Sequence, residues 1–110
     1  MKNLIILLTL ILVNGSYADY KDTNNVKIQL VSVWTESGDI LVQTSPKHDI
    51  SGLGCGSDYW LKLSKTAIGY DGTLSMLLSA QATQAKVTVR AHDDQGTDFC
   101  RLGRVITEAP

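Results

Sequence analysis

One phenylalanine, two prolines, two cysteines and two histidines in 110 residues leave few of the usual chemical signatures. His48 stands near Pro46 and Asp49, and His92 precedes Asp93 and Asp94. Neither lies in a pattern that pairs a nucleophile with a base, so hydrolysis through Ser or Cys is not written here. Cys55 and Cys100 have no neighbouring Cys or His, which removes zinc-ligand and redox-thiol spacings. His92, Asp93, Asp94 and Asp98 bring an imidazole near carboxylates, but their spacing matches no zinc or EF-hand loop, and an acidic hairpin turn accounts for them. Gly52, Gly54 and Gly56 surround Cys55 without the lysine or the following helix of a phosphate-binding loop. No charge of one sign dominates: ten basic residues are scattered among eleven acidic ones, the opposite of a nucleic-acid footprint. No motif singles out two of the acids as a glycosidase pair. The chain is therefore expected to be no enzyme and to hold no metal and no cofactor.

The ends and the cysteines say more. Lys2, an apolar run from Leu4 to Val13 and the small-residue exit Ser16-Tyr17-Ala18 form the three parts of a signal peptide. The run is about half the roughly 20 residues that span a bilayer, so a permanent transmembrane helix is the weaker reading. Cleavage after Ala18 removes Lys2 and leaves 92 residues, with nine basic side chains against eleven acidic ones. A secreted or periplasmic chain of this size gains much from a cross-link, and its two cysteines allow a single intramolecular pairing, Cys55 with Cys100.

Asp19 to Asn25 are polar and lack an apolar period, which predicts a flexible arm ahead of one domain over residues 26–110. Val26, Ile28 and Leu30 alternate with Lys27 and Gln29, and then the phase slips to Val31 and Val33, the sign of a strand with a bulge near Leu30. Glu36 to Asp39 reads as a hairpin turn, and Ile40 to Thr44 as a second strand ended by Pro46. Tyr59 to Lys65 alternates as a third strand. From Asp71 to Ala85 the period becomes helical, with Leu74, Leu77, Leu78 and Ala82 on one face, broadened by Met76, Ala80 and Ala85, and Asp71 or Thr73 as the cap. Val87, Val89 and Ala91 make a fourth strand, Asp93 to Gly96 a turn, and Arg101 to Thr107 a fifth strand. Three strands, a helix and two strands is the order of a five-stranded OB-like barrel, a mainly β fold with one helix. An open antiparallel sheet with the helix packed on a face has the same order.

Cys55, Trp60, the Leu- and Ala-rich helix from Gly72 to Ala82, Val87-Thr88-Val89-Arg90 and Cys100, taken in order, resemble the B subunits of pertussis-like and subtilase-type AB5 toxins. The resemblance implies a bacterial OB-fold, a ring of five with the helices lining its centre, and a glycan-binding face on each subunit. The loops are shorter here, there is a single disulfide, and none of the family's sugar-contacting residues matches a position in this chain.

Trp60, Lys62 and Arg90 are the candidate ligand contacts. Trp60 has the outward parity of Lys62 and would stack on a ligand, against the commoner fate of burial under the helix or against the disulfide. Arg90 would meet an acidic sugar or a partner carboxylate, against the plainer reading of a solvated strand arginine. Trp34 and the histidines have plain readings too, a core edge for the first and solvated turn or strand-end residues for the others. Ser75, Ser79 and Thr83, small and polar, with Met76 beside them, suit packing about a symmetry axis, and an apolar strip of Met76, Ala80 and Ala85 left outside would mark a homo-oligomer. The expected function is an exported, non-enzymatic binding module whose partner is a glycan. The alternative is a monomeric exported domain that binds another protein.

Overall fold

The computed structural model describes residues 19–94 and 98–108. The signal-peptide reading of residues 1–18, and the Gln95 and Gly96 positions of the acidic turn, lie outside the described residues. The elements are β1 (Tyr20–Val33), β2 (Ile40–Ser45), β3 (Leu61–Leu63), α1 (Tyr70–Thr83), β4 (Lys86–His92) and β5 (Cys100–Thr107). They close into a ring in the order β1-β2-β3-β5-β4, all neighbours antiparallel except the β3–β5 pair. Over the described residues the fold is mainly β with one helix, an OB-like barrel in which α1 connects β3 to β4.

Closure depends on β1, which serves both sides of the barrel. Its second half pairs with β2 and its first half with β4, and Lys27 is the hinge position, opposite Ser45 on one side and Lys86 on the other. Two register shifts bend it, as bulges bend barrel strands. One lies between Ile28 and Leu30, where the sequence pattern slips. The other lies between Thr23 and Val26, where Asn25 takes a positive φ of 58°, a conformation asparagine tolerates better than most residues.

The expected arm is thus part of the barrel. Tyr20, Lys21, Asp22 and Thr23 pair with His92, Ala91, Arg90 and Val89. Their polarity misleads because this end of β1 is held by the ladder and by distant partners: Arg90 grips Asp22, and the Thr88 hydroxyl donates to Asn24 Oδ1 at 3.0 Å.

The core follows the alternation. Val26, Ile28, Val42, Leu61, Val87, Val89 and Cys100 are fully buried, and Leu77 of α1 joins them in the same core cluster. Of the expected apolar face, Leu77 and Ala80 are buried and Leu74 and Met76 pack against the core, joined by Tyr70, but Leu78 is 48% exposed and Ala82 is exposed. Met76, Leu77 and Leu78 in succession give no unique apolar face, so tertiary anchors set the rotation. The Tyr70 hydroxyl donates to the Gly38 carbonyl at 2.7 Å, and Gln81 Nε2 donates to the Gln29 carbonyl at 3.1 Å. Neither Asp71 nor Thr73 caps the helix. Gly69 holds the cap position without a side-chain bond, and Gln84 in the left-handed region ends the helix, its N–H reaching the carbonyls of Ala80 and Gln81.

Candidate functional site

The disulfide joins Cys55 in the β2–β3 connection to Cys100, the first residue of β5. Leu61 lies opposite Cys100 in the parallel pair, so the cross-link reinforces the seam that closes the barrel. A disulfide here fits an oxidising compartment.

Because Leu61 and Leu63 point inward, Lys62 between them points outward. Register then sets a row across the outer surface: Leu41 of β2, Lys62 of β3, Arg101 of β5 and His92 of β4. At one end of this row is a cleft of about 240 Å³. The β1–β2 turn contributes Trp34, Ser37 and Asp39, the strands Leu41 and Lys62, and the chain just before β5 Asp98 and Phe99. Trp34 is 57% exposed. The core-edge reading of this residue is corrected: the turn that follows β1 carries its ring outward. That turn is closed by the Trp34 N–H donating to the Asp39 carbonyl at 2.8 Å and the Gly38 N–H to the Trp34 carbonyl at 2.7 Å, with Gly38 at φ 82°.

The charges in the cleft are arranged around Lys62. Its Nζ lies 3.7 Å from Asp39 Oδ2 and 3.7 Å from Asp98 Oδ2. Asp39 Oδ1 is held by the Lys65 backbone N–H at 2.8 Å, which fixes that carboxylate. One ammonium between two carboxylates leaves a local charge of about −1, with acceptor lone pairs to spare beside an aromatic face. Such a surface suits a ligand rich in hydroxyl donors and with an apolar flank, and repels an anion.

A larger cavity, about 380 Å³, lies on the other side of Lys62 and runs between β3, residues 64–69 and β5. Leu63, Ala67 and Leu102 supply much of its wall and Ile68 is fully exposed at it, but none of its lining residues is aromatic. Arg101 reaches it already engaged, with Nε donating to Asp94 Oδ1 at 2.9 Å and Nη2 to Oδ2 at 2.8 Å.

The remaining candidates are placed elsewhere. Trp60 precedes β3, half-buried, and meets Tyr59 edge-on with ring centroids 5.1 Å apart. Arg90 is held by Asp22 and Tyr20: Nε and Nη2 donate to the two Asp22 oxygens at 2.8 and 3.1 Å, and its guanidinium lies 4.2 Å from the Tyr20 ring centroid. Of Trp60, Lys62 and Arg90, the structure brings only Lys62 to the cleft. Trp34, Asp39 and Asp98 were missed because nothing local in the sequence shows that two turns sixty residues apart meet over β3. Ser75, Ser79 and Thr83 are exposed on α1, with the Thr83 hydroxyl donating to the Ser79 carbonyl at 2.9 Å. Met76 packs against the core and Ala80 is buried in it, so the two do not form an exposed apolar strip.

Both histidines depart from the solvated reading. His48 is 2% exposed, and among the described residues neither ring nitrogen has a hydrogen-bond partner. Burial holds it below the usual imidazole range, opposed by the Ser57 backbone and by Asp58 and Asp49. His92 is half-buried over Gly103, where an added β-carbon would overlap its ring, and it lies 5.5 Å from the Tyr20 ring. Burial and the nearby Arg101 charge hold it too below the imidazole range. Among the described residues no group of three His, Cys, Asp or Glu is arranged to hold a metal ion. No helix of the described residues is long and apolar enough to cross a membrane.

Compared with known protein families, curated proteins and solved structures, the chain has no match. The reading of the cleft therefore rests on its own side chains.

Proposed function

We propose that the protein is an exported, non-enzymatic glycan-binding module, and that neutral sugars bind in the Trp34 cleft. The observation that carries this reading is an exposed indole beside Asp39, Lys62 and Asp98. Stacking on Trp34 would cover the apolar face of a pyranose while the two carboxylates accept its hydroxyl hydrogens. The β2–β3 face and the connections β1–β2 and β4–β5 are also where OB barrels commonly bind oligosaccharides, which supports the choice of cleft by analogy of fold.

Assembly into a homo-oligomer belongs to the same reading and draws on the toxin-subunit resemblance, with Ser75, Ser79 and Thr83 presented on α1. The exposed Leu78 and Ile68 favour a second reading, a monomer that binds another protein through these positions. Native mass spectrometry of the purified domain separates the two.

Binding is tested by titrating neutral oligosaccharides while following tryptophan fluorescence. The emission of Trp34 shifts on binding, and Trp34→Ala weakens affinity about tenfold or more, about 1.4 kcal/mol, whereas Trp60→Phe leaves it unchanged. An array of neutral glycans with no binder, or equal binding by Trp34→Ala, rejects the reading.

A further inference from the structure

The first residue of the described chain extends the β1–β4 ladder by a reciprocal pair of hydrogen bonds with the residue that follows β4. The Asp19 N–H donates to Asp93 Oδ1 at 2.8 Å, and the Asp93 N–H donates to the Asp19 carbonyl at 3.1 Å. The second oxygen of the same carboxylate, Asp93 Oδ2, accepts the Gly54 N–H at 3.0 Å, one residue before the disulfide-bonded Cys55. A single carboxylate thus joins the start of β1, the end of β4 and the cross-linked loop.

The nitrogen in this contact is the atom that export would change. Hydrolysis of the Ala18–Asp19 peptide bond by a signal peptidase consumes one water, leaves a carboxylate on Ala18 and leaves an α-ammonium on Asp19. We propose that this cleavage converts a neutral amide contact into an ion pair between the Asp19 α-ammonium and Asp93, so that processing itself completes a clasp over the Cys55 loop. The clasp rests on the export part of the proposed function and is independent of the glycan cleft. A charged donor makes a stronger bond to the same acceptor than an amide does, and the acceptor is already within bonding distance. The pair is near the surface, so the effect is a modest gain in stability and not a condition for folding.

The test uses protein exported from a bacterial host and a second form that begins at Ala18, which keeps the Asp19 N–H but moves the positive charge one residue away. N-terminal sequencing of the exported form is expected to read Asp-Tyr-Lys-Asp. Its thermal midpoint is expected to lie a few degrees above that of the Ala18 form, with the difference vanishing in 1 M salt and in Asp93→Asn, whose amide oxygen still accepts a hydrogen bond. A different N-terminus overturns the cleavage and, with it, the clasp. The Asp19 terminus with equal midpoints, or with a difference that survives salt or Asp93→Asn, overturns the clasp while leaving export intact. Should Asp93→Asn not fold, the two unsubstituted forms and their salt dependence still decide.

Discussion

The two walls of the barrel are built differently. The wall of β1, β4 and β5 consists of long strands paired along most of their length, and two of its arginines are held in bidentate pairs, Arg90 with Asp22 and Arg101 with Asp94. The opposite wall depends on β3, a strand of three residues, of which only Leu61 and Lys62 meet β5. There the ladder is too short to hold the seam alone and a disulfide reinforces it, while Lys62 is shared between two carboxylates and Trp34 stays open. On the long wall Arg90 and Arg101 are held by carboxylates, whereas on the short wall an exposed indole stands beside two carboxylates that share one ammonium. Binding surface is found where connections and strand ends meet over a rigid frame.

The largest effect expected from breaking this contrast lies on the short wall. Replacing Cys55 and Cys100 together by Ser opens a cross-link between residues 45 apart in sequence, a loss of about 4 kcal/mol on chain-entropy grounds, close to the whole stability of a small domain. Urea denaturation of the purified variant should show an unfolded or barely folded chain. Retention of wild-type stability would mean that the short wall holds without its staple.

Next in size is a clash on the long wall. Gly103→Val drives a side chain into the space of the His92 ring, and overpacking of this kind costs about 1–3 kcal/mol. His92→Ala in the same chain should recover much of that loss in a double-mutant cycle. Additive losses would place the strain elsewhere.

A smaller, pH-dependent effect belongs to His48 in the β2–β3 connection. Its depressed folded value means that the unfolded chain takes up the proton first as pH falls below about 6.5. Stability is then full above that pH and declines below it, towards the folded value. Asp49 and Asp58 near the ring oppose the shift and limit the decline. His48→Leu should flatten the profile between pH 7 and 5 in calorimetry, and an unchanged slope would assign it to other groups.

The smallest change is expected at the surface pair of the long wall. Arg90→Gln should lower the thermal midpoint by only a few degrees at neutral pH, since exposed pairs contribute little. The hydrogen bonds from Arg90 lower the Asp22 carboxyl below its ordinary value, so their contribution is present at neutral pH and disappears as pH falls through the folded Asp22 value. The variant and the wild type should therefore converge in acid, and a gap that persists there would assign the loss to packing on Tyr20.

The alternation of Val26 with Ile28, of Leu61 with Leu63 and of Val87 with Val89 was legible because each strand has an inner and an outer face. The slip at Leu30 was legible as a bulge for the same reason. The first half of β1 was not: Tyr20 to Asn25 carry no apolar period, and their partners Val89 to His92 are about seventy residues away. The span of β3 was overstated because Tyr59 and Lys65 continue the alternation beyond the positions where neighbours are available. The burial of His48 has no sequence signal, since a single imidazole in a loop looks the same whether solvent or protein surrounds it.

The cleft shows the same division. Lys62 could be placed on an outer face from its neighbours Leu61 and Leu63, but Trp34, Asp39 and Asp98 become a group only when two connections converge on β3. For the described residues the sequence by itself determined the strand order, the helix, the inward alternation of Val26 with Ile28, Leu61 with Leu63 and Val87 with Val89, and the Cys55–Cys100 pairing, because periodicity is local and two cysteines permit one bond. Tertiary structure alone decided the rotation of α1, the folding of Asp19 to Asn25 into the barrel, the pairing of Arg90 and the assembly of the Trp34 cleft. Each of these is a contact between distant segments, and its free energy depends on a juxtaposition that no local pattern encodes.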